Sequence, residues 1–300
     1  MTNKSLIIKM KKILITGGAG FIASHFAKKI CNYKNLNIFI IDNLNNYYDK
    51  NLKKSRIEYL VKKKNIVFKK IDICNKKKIN DLFKYNKFEY VFHFAAQAGV
   101  RYSIENPLIY YENNIEGFFN ILDSCRIYKV KSLFFASSSS VYGDQKKFPI
   151  KENFNSSNPK SFYAATKKCN EIIARAYSNI YNMRIIGFRF FTVYGSFGRP
   201  DMTPYIFLEK NRKKKTINIF NKGIHERDFT HITDVVNFLI KTFEKEKKNK
   251  IKNKFEIFNI SRGKSEKLIK YIFELESQIG KKFKKKFIKK QKGDVLKTFG

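Results

Sequence analysis

Tryptophan is absent from this 300-residue chain, cysteine occurs four times and proline five. The cysteines, Cys31, Cys74, Cys125 and Cys169, lie far apart with no Cys-x-x-Cys pair. That excludes a disulfide framework and a thiolate zinc site, and predicts the reduced thiols of a cytoplasmic protein. His25, His93, His225 and His231 show no ligand spacing, so no metal centre is expected. No apolar run approaches the ~18 residues of a membrane span, and Leu6-Ile7-Ile8 is too short for a signal-peptide core. Acidic residues are also scarce: 25 Asp and Glu stand against 62 Lys and Arg, a formal charge of +37. The lysines recur along the whole chain (Lys62–Lys64, Lys76–Lys78, Lys213–Lys215, Lys284–Lys286) rather than on one stripe with aromatic platforms. The excess therefore reads as compositional drift, and no nucleic-acid partner is predicted. A basic surface would still steer an anionic nucleotide toward a cleft.

What is present begins with an apolar fraction of 43%, enough for a globular core. After residues 1–9, read as an extension, Ile13-Leu14-Ile15 predicts a buried strand. It runs into Thr16-Gly17-Gly18-Ala19-Gly20-Phe21-Ile22-Ala23 and then a helical pattern. A glycine turn between strand and helix lets the backbone approach a pyrophosphate, and the helix N-terminus offers free N–H groups to it. The third small residue is Ala23, which still permits close helix–strand packing. Gly17, Gly20, Phe21 and Ile22 are thus predicted on the phosphate side. A second strand, Asn37 to Ile41, ends at Asp42, 22 residues after Gly20. An acid there can hold both ribose hydroxyls and repels a 2′-phosphate, which favours NAD over NADP. Asn43 follows it. A third strand ends at Asp72-Ile73, placed to flank an adenine, and a fourth ends at Ala95-Ala96-Gln97, whose small residues would let backbone lie against the cofactor. This alternation predicts an α/β fold: a Rossmann-type doubly wound parallel sheet with a smaller C-terminal α+β substrate domain. The expected division is 10–190, with 230–260 returning to it, for NAD, and 191–229 with 261–300 for the substrate.

In the second half, a long helix is expected from Ile104 to Tyr128, with Pro107 in its first turns. The strand Ser132 to Phe135 leads into Ser137-Ser138-Ser139-Ser140-Val141-Tyr142-Gly143, a run of hydroxyls at the ligand-facing end of the sheet. Ser161-Phe162-Tyr163-Ala164-Ala165-Thr166-Lys167 then sets a phenol and an ammonium four residues apart, on one helix face. A tyrosine titrates near pH ~10; a neighbouring cation favours the phenolate and makes it a base for a sugar hydroxyl. By itself a Tyr-x-x-x-Lys pair is more often a solvated helix face.

Together, the glycine loop, Asp42, the serine run and Tyr163-x-x-x-Lys167 resemble the NAD-dependent extended short-chain dehydrogenase/reductases that act on nucleotide sugars, from about Lys12 to Thr298. The stretches 42–49, 95–103, 189–195 and 198–202 are similar to those of the UDP-glucuronate 4-epimerases within that family. The resemblance implies that NAD⁺ stays bound. Tyr163 takes the proton of the sugar 4-OH as C4 gives hydride to the nicotinamide, and hydride returns to the other face of the 4-keto sugar. It further implies that Lys167 binds the nicotinamide ribose and acidifies Tyr163, that Ser138 bonds O4 with Ser139 beside it, and that Phe190 packs on the nicotinamide. Asn114, Arg227 and Asp294 match positions holding the UDP moiety. Thr192 and Arg199 fit a pocket for the C6 carboxylate, with Arg101 a further candidate; a turn ion pair is the plainer role for Arg199.

Related decarboxylases carry Glu before Val-Tyr-Gly, where this chain has Ser140, and no carboxylate nearby supports elimination. Epimerisation of UDP-glucuronate to UDP-galacturonate is therefore the expected activity. A 4-epimerase of a neutral UDP-sugar and an inactive, truncated dinucleotide-binding protein stay open as other readings. A homodimer is expected through the Ile104–Tyr128 and Phe162–Tyr181 helices. The family continues beyond the position of Gly300, so the wall on the UDP side is expected to be incomplete.

Overall fold

The computed structural model describes residues 10–289 and 295–300. Six strands alternate with helices through the first two thirds of the chain: Lys11–Thr16 (β1), Leu36–Asp42 (β2), Ile66–Lys70 (β3), Tyr90–His93 (β4), Ser132–Ser138 (β5) and Ile185–Phe190 (β6). Between them run Phe21–Ile30 (α1), Lys50–Val61 (α2), Lys76–Asn86 (α3), Tyr102–Glu105 (α4), Pro107–Tyr110 (α5), Gly117–Ile127 (α6) and Phe162–Tyr181 (α7). Beyond lie Thr192–Tyr194 (β7), Thr203–Arg212 (α8), Ile217–Phe220 (β8), Glu226–His231 (β9), Ile232–Lys247 (α9), Phe255–Ile260 (β10), Ser265–Lys267 (β11), Leu268–Ile279 (α10), Lys285–Ile288 (β12) and Lys297–Thr298 (β13).

The large sheet has the order β10-β6-β5-β4-β1-β2-β3, and every pairing in it is parallel. It is a doubly wound Rossmann-type sheet, and its strand order reverses between β1 and β4, where such sheets open a crevice. Both faces are covered, so the strands are apolar on both sides: β1 and β4 to β6 carry almost no exposed residue. On one face Phe92, Phe134 and Phe188 stack strand to strand, with 4.4 Å and 6.3 Å between successive ring centroids, and Phe243 of α9 meets the first two edge-on. Phe26 of α1 completes that layer. On the other face Leu133 and Phe135 pack against Phe118, Ile121 and Leu122 of α6 and Ile79 of α3. The remaining strands form a small sheet around β9, with β7, β11 and β13, and a parallel β8–β12 pair. Over that pair Phe207 of α8 and Ile272 of α10 close a separate core. No helix among the described residues is long and apolar enough to cross a membrane.

The helix expected from Ile104 to Tyr128 is broken. Asn106 sits at φ −133°, ψ 63°, because the ring of Pro107 bars the α conformation from the residue before it. Residues Tyr111–Glu116 then form a π-helical turn before α6 begins. That widened turn is where Asn114 lies.

Candidate active site

A cavity of about 430 Å³ opens along the carboxyl ends of β1, β4, β5 and β6. Its first part is built by the glycine turn. Gly17 has φ +68°, and a Cβ there would come within 2.6 Å of the Ala95 nitrogen; a Cβ on Gly18 would meet Ile40 Cγ2 at 1.9 Å. The turn can therefore nest against β4 and β2 only without side chains. Helix α1 starts at Gly20 with no side-chain cap, and Phe21 and Ile22 line the cavity, so its first N–H groups point where an anion would sit. Asp42, at the end of β2, accepts Ala19 N–H (3.1 Å) on one oxygen and Leu44 N–H (2.8 Å) on the other. Each oxygen keeps a lone pair for a ribose hydroxyl. Burial raises the Asp42 carboxyl, and these bonds with the Lys53 and Arg56 charges oppose that. Asn43 donates to Asp72 (2.9 Å), whose other oxygen accepts Cys74 N–H (2.8 Å); Asp72 is thus tied up beside the cavity while Asn43 and Ile73 line it. Ala95, Ala96 and Gln97 form the opposite wall. Glycines that leave no room for a Cβ, an uncapped helix start and a buried carboxylate at the second strand form a donor and acceptor set that fits a dinucleotide.

The reactive groups meet farther along. Ser161 caps α7, its hydroxyl accepting Ala164 N–H (3.1 Å), and this fixes the turn that carries Tyr163. Tyr163 lines the same stretch of cavity as Ser138, whose hydroxyl is bonded to Ser140 Oγ (3.1 Å) and Ser140 N–H (3.2 Å). Burial pushes the phenol above its ordinary value, while the Ser138 hydroxyl and the Arg199 charge draw it back. Lys167, one turn on, is 4% exposed and donates to the Ala136 carbonyl (2.9 Å); burial pushes its ammonium down to about 8. The Ser138 hydroxyl and the Arg199 charge thus lower the phenol, while one of the three Lys167 N–H groups is taken by β5. Ser139 lines the cavity beside Ser138. Phe190, at the tip of β6, forms the floor.

Beyond Tyr163 the cavity is lined by Thr192, Arg199 and Arg227. Arg199 forks onto Asp201, with Nε 3.0 Å from Oδ1, so the turn ion pair exists, and its Arg199 member lies in the cavity wall. Arg227 Nη1 donates to the Glu226 and Leu296 carbonyls at 2.9 and 3.2 Å. Two candidates sit elsewhere. The Asn114 amide holds both Gln97 N–H (2.7 Å) and Gln97 C=O (3.0 Å) and donates to Thr166 (3.1 Å), which clips β4's exit to α7 and takes its side chain out of the cavity lining. Arg101 is also outside the lining; its guanidinium lies 4.7 Å from the Phe220 ring centroid. Asp294 falls outside the described residues.

Several residues of the site lie outside the candidates that the sequence singles out. Tyr47 lines the cavity and donates to Asp201 (3.0 Å). Buried Arg56 reaches from α2 to the Ala19 carbonyl (2.7 Å), the Tyr48 hydroxyl (2.8 Å) and the Gly198 carbonyl (3.2 Å), joining the glycine turn to the turn bearing Arg199. Glu171, two turns after Tyr163, accepts from Ser137 (2.6 Å) and is forked by Arg189 (2.8 and 2.7 Å), which locks α7 to β5 and β6. Only the spacing of Glu171 on the Tyr163–Lys167 stripe hints at this.

A model of the NAD dependent epimerase/dehydratase family matches residues 13–261. An uncharacterised protein of Methanocaldococcus jannaschii is 42% identical over 293 residues, which is 97% of this chain and 88% of that protein. A UDP-glucuronate 4-epimerase of Thermodesulfobacterium geofontis is 38% identical over 287 residues, covering 95% of this chain and 86% of its own. Among solved structures, the UDP-glucuronic acid 4-epimerase of Bacillus cereus, in complex with UDP-glucuronic acid and NAD, matches with a TM-score of 0.89 at 30% identity, over 96% of this chain and 90% of that one. On the family model, which spans residues 13–261 of the 300, and on these relatives, the chain belongs to the NAD dependent epimerase/dehydratase family.

Proposed function

We propose that this protein inverts C4 of UDP-glucuronate, giving UDP-galacturonate, with NAD as a resident cofactor. The observation that carries this reading is one cavity that holds Ser138, Tyr163 and Lys167 at its centre and Arg199 on the far wall. NAD, when bound, supplies a reversible hydride acceptor. Gly17, Gly20 and the start of α1 would take its phosphates, and Asp42 its adenosine ribose. Lys167 and Phe190, which line the same cavity, would hold its nicotinamide half.

Tyr163 removes the proton from the sugar 4-hydroxyl as C4 loses hydride, and Ser138 holds that oxygen through both half-reactions. The C4–H bond breaks, a C4=O bond forms, and the phenol keeps the proton. After the 4-keto sugar turns, hydride adds to the other face and Tyr163 returns its proton, so no net oxidation occurs. Ser140 stands where decarboxylating relatives typically carry Glu, which supports retention of the uronate carbon. Arg199 receives the C6 carboxylate by a charge-assisted contact, with Thr192 beside it; Arg227 faces the nucleotide end.

Residues 10–190 with 230–260 serve NAD in this reading, and 191–229 with 261–300 the sugar nucleotide. We also infer a homodimer, supported by exposed apolar side chains on the α5–α6 and α7 surface, Leu108 (66%), Ile172 (59%) and Ile180 (71%). The four free cysteines go with a cytoplasmic location.

Incubating purified protein with UDP-glucuronate and identifying the product by NMR tests the assignment. UDP-galacturonate is expected; UDP-pentose, or no 4-epimer, overturns it. Because Arg199 already has a carboxylate partner, a neutral UDP-sugar is the second reading; full activity of Arg199→Ala on UDP-glucuronate would favour it.

A further inference from the structure

Arg199 is not held by the cavity alone. Asp201 grips its guanidinium by the Nε and Nη2 edge, with Nε–Oδ1 at 3.0 Å. The oxygen that meets Nη2 also accepts the Tyr47 hydroxyl at 3.0 Å. Tyr47 comes from the segment after β2 and Asp201 from the turn after β7, so the carboxylate joins two walls of the cavity. Tyr47 and Arg199 line that cavity; Asp201 stands behind them. Behind the turn, Arg56 donates to the Gly198 carbonyl at 3.2 Å. A guanidinium has five N–H donors in a rigid plane. The fork uses two on the far edge and leaves the Nη1 end for a ligand.

We propose that Asp201 and Tyr47 are positioning residues for Arg199, and that by fixing its outer edge they set the preference for a sugar carrying a carboxylate. The inference rests on the UDP-hexuronate reading above. Two effects of Asp201 oppose each other. Its charge offsets that of Arg199 and weakens attraction for an anion, whereas its fork aims the N–H groups and removes the rotamer freedom a ligand would otherwise have to restrain. With side-chain exposures of 24% and 28% for Arg199 and Asp201, solvent screens the first effect only in part. A charge-assisted bond is directional, so the second effect governs.

The test measures dissociation constants of UDP-glucuronate and UDP-glucose by calorimetry on the NAD-loaded protein. It compares the native chain with Asp201→Asn and Tyr47→Phe. Asp201→Asn is expected to weaken UDP-glucuronate about tenfold and UDP-glucose less than about twofold. Tyr47→Phe keeps the ring and deletes only the hydroxyl; its expected effect is in the same direction, about threefold. A loss of general packing would weaken both sugars alike. Equal weakening of both, an unchanged ratio, or tighter UDP-glucuronate binding overturns the proposal. If Asp201→Asn does not fold, the ratio in Tyr47→Phe decides alone. A native protein that does not epimerise UDP-glucuronate removes the functional reading itself. A native protein that does, with discrimination intact in the variants, removes only this inference.

Discussion

The Lys167 ammonium donates to the Ala136 carbonyl of β5 at 2.9 Å, one helical turn below Tyr163. The spacing of the pair brings both side chains to the cavity, but the lysine is anchored to the sheet, and burial pushes it down to about 8. Unfolded, the same ammonium titrates near ~10.5. Between pH 8 and 10.5 the unfolded chain therefore binds more protons at this site, and stability conferred here rises with pH across that window. Below it, the cost of burying the charge is fully present. Lys167→Met should be more stable than the native chain at pH 7 by up to a few kcal/mol, with the difference shrinking toward pH 10. Urea unfolding of both proteins across that range measures it, while turnover by the variant should be lost.

Tyr163→Phe removes the proton acceptor and should lower turnover of UDP-glucuronate by at least about 10³-fold with the fold intact. Ser138→Ala is subtler. Burial raises the Tyr163 phenol and the Ser138 hydroxyl lowers it, so losing that hydroxyl raises the phenol further. As the base must be deprotonated, the acid limb of the rate profile should move to higher pH, with kcat down by about 10². A pH profile of kcat/KM separates this shift from a uniform loss.

Asp42 accepts two backbone N–H groups and offers its remaining lone pairs to the cavity. Asp42→Ala should weaken NAD by about 10-fold or more and narrow the preference over NADP, since the repulsion of a 2′-phosphate disappears with the charge. Fluorescence titration of both dinucleotides reads the ratio.

Glu171 and Arg189 have side chains only 4% and 5% exposed. Replacing Glu171 by Gln leaves the Arg189 guanidinium buried without its counter-charge, and about 3–5 kcal/mol of stability should be lost. Denaturant unfolding checks this. A loss under about 1 kcal/mol would mean that the Tyr142 hydroxyl and Glu152 carbonyl, at 2.7 and 3.0 Å from Nη1, suffice to hold the charge.

Features encoded by neighbours in the chain are legible in the residues alone. Gly17 to Ala23 after an apolar strand, Asp42 at the next strand's tip, and Tyr163 with Lys167 on one helix face all depend on short spacings, and all meet in one cavity. Asn114 and Arg101 show the limit. Asn114 sits on a π-helical turn, and its amide is taken by Gln97 and Thr166, partners 17 and 52 residues away. The uninterrupted helix expected from Ile104 fails at Asn106 because one proline outweighs the helical pattern around it. Tyr47 with Asp201, and Glu171 with Arg189, are hidden for the same reason: their bonds span 154 and 18 residues, and no local pattern marks a long-range polar pair. The short strands around β9 are held by pairing with one another rather than by alternation of their own, so they too escape a local pattern.

The guanidinium of Arg56 touches the Ala19 carbonyl on one side and the Gly198 carbonyl on the other. One planar ion between two peptides acts as a strut, so displacement of either end is passed to its opposite. Whatever factor the dinucleotide contributes to sugar affinity through this strut, the sugar contributes to the dinucleotide in return. Where that factor is favourable, the dinucleotide is bound most tightly while a sugar nucleotide occupies the cavity, the interval in which its loss would strand the reaction.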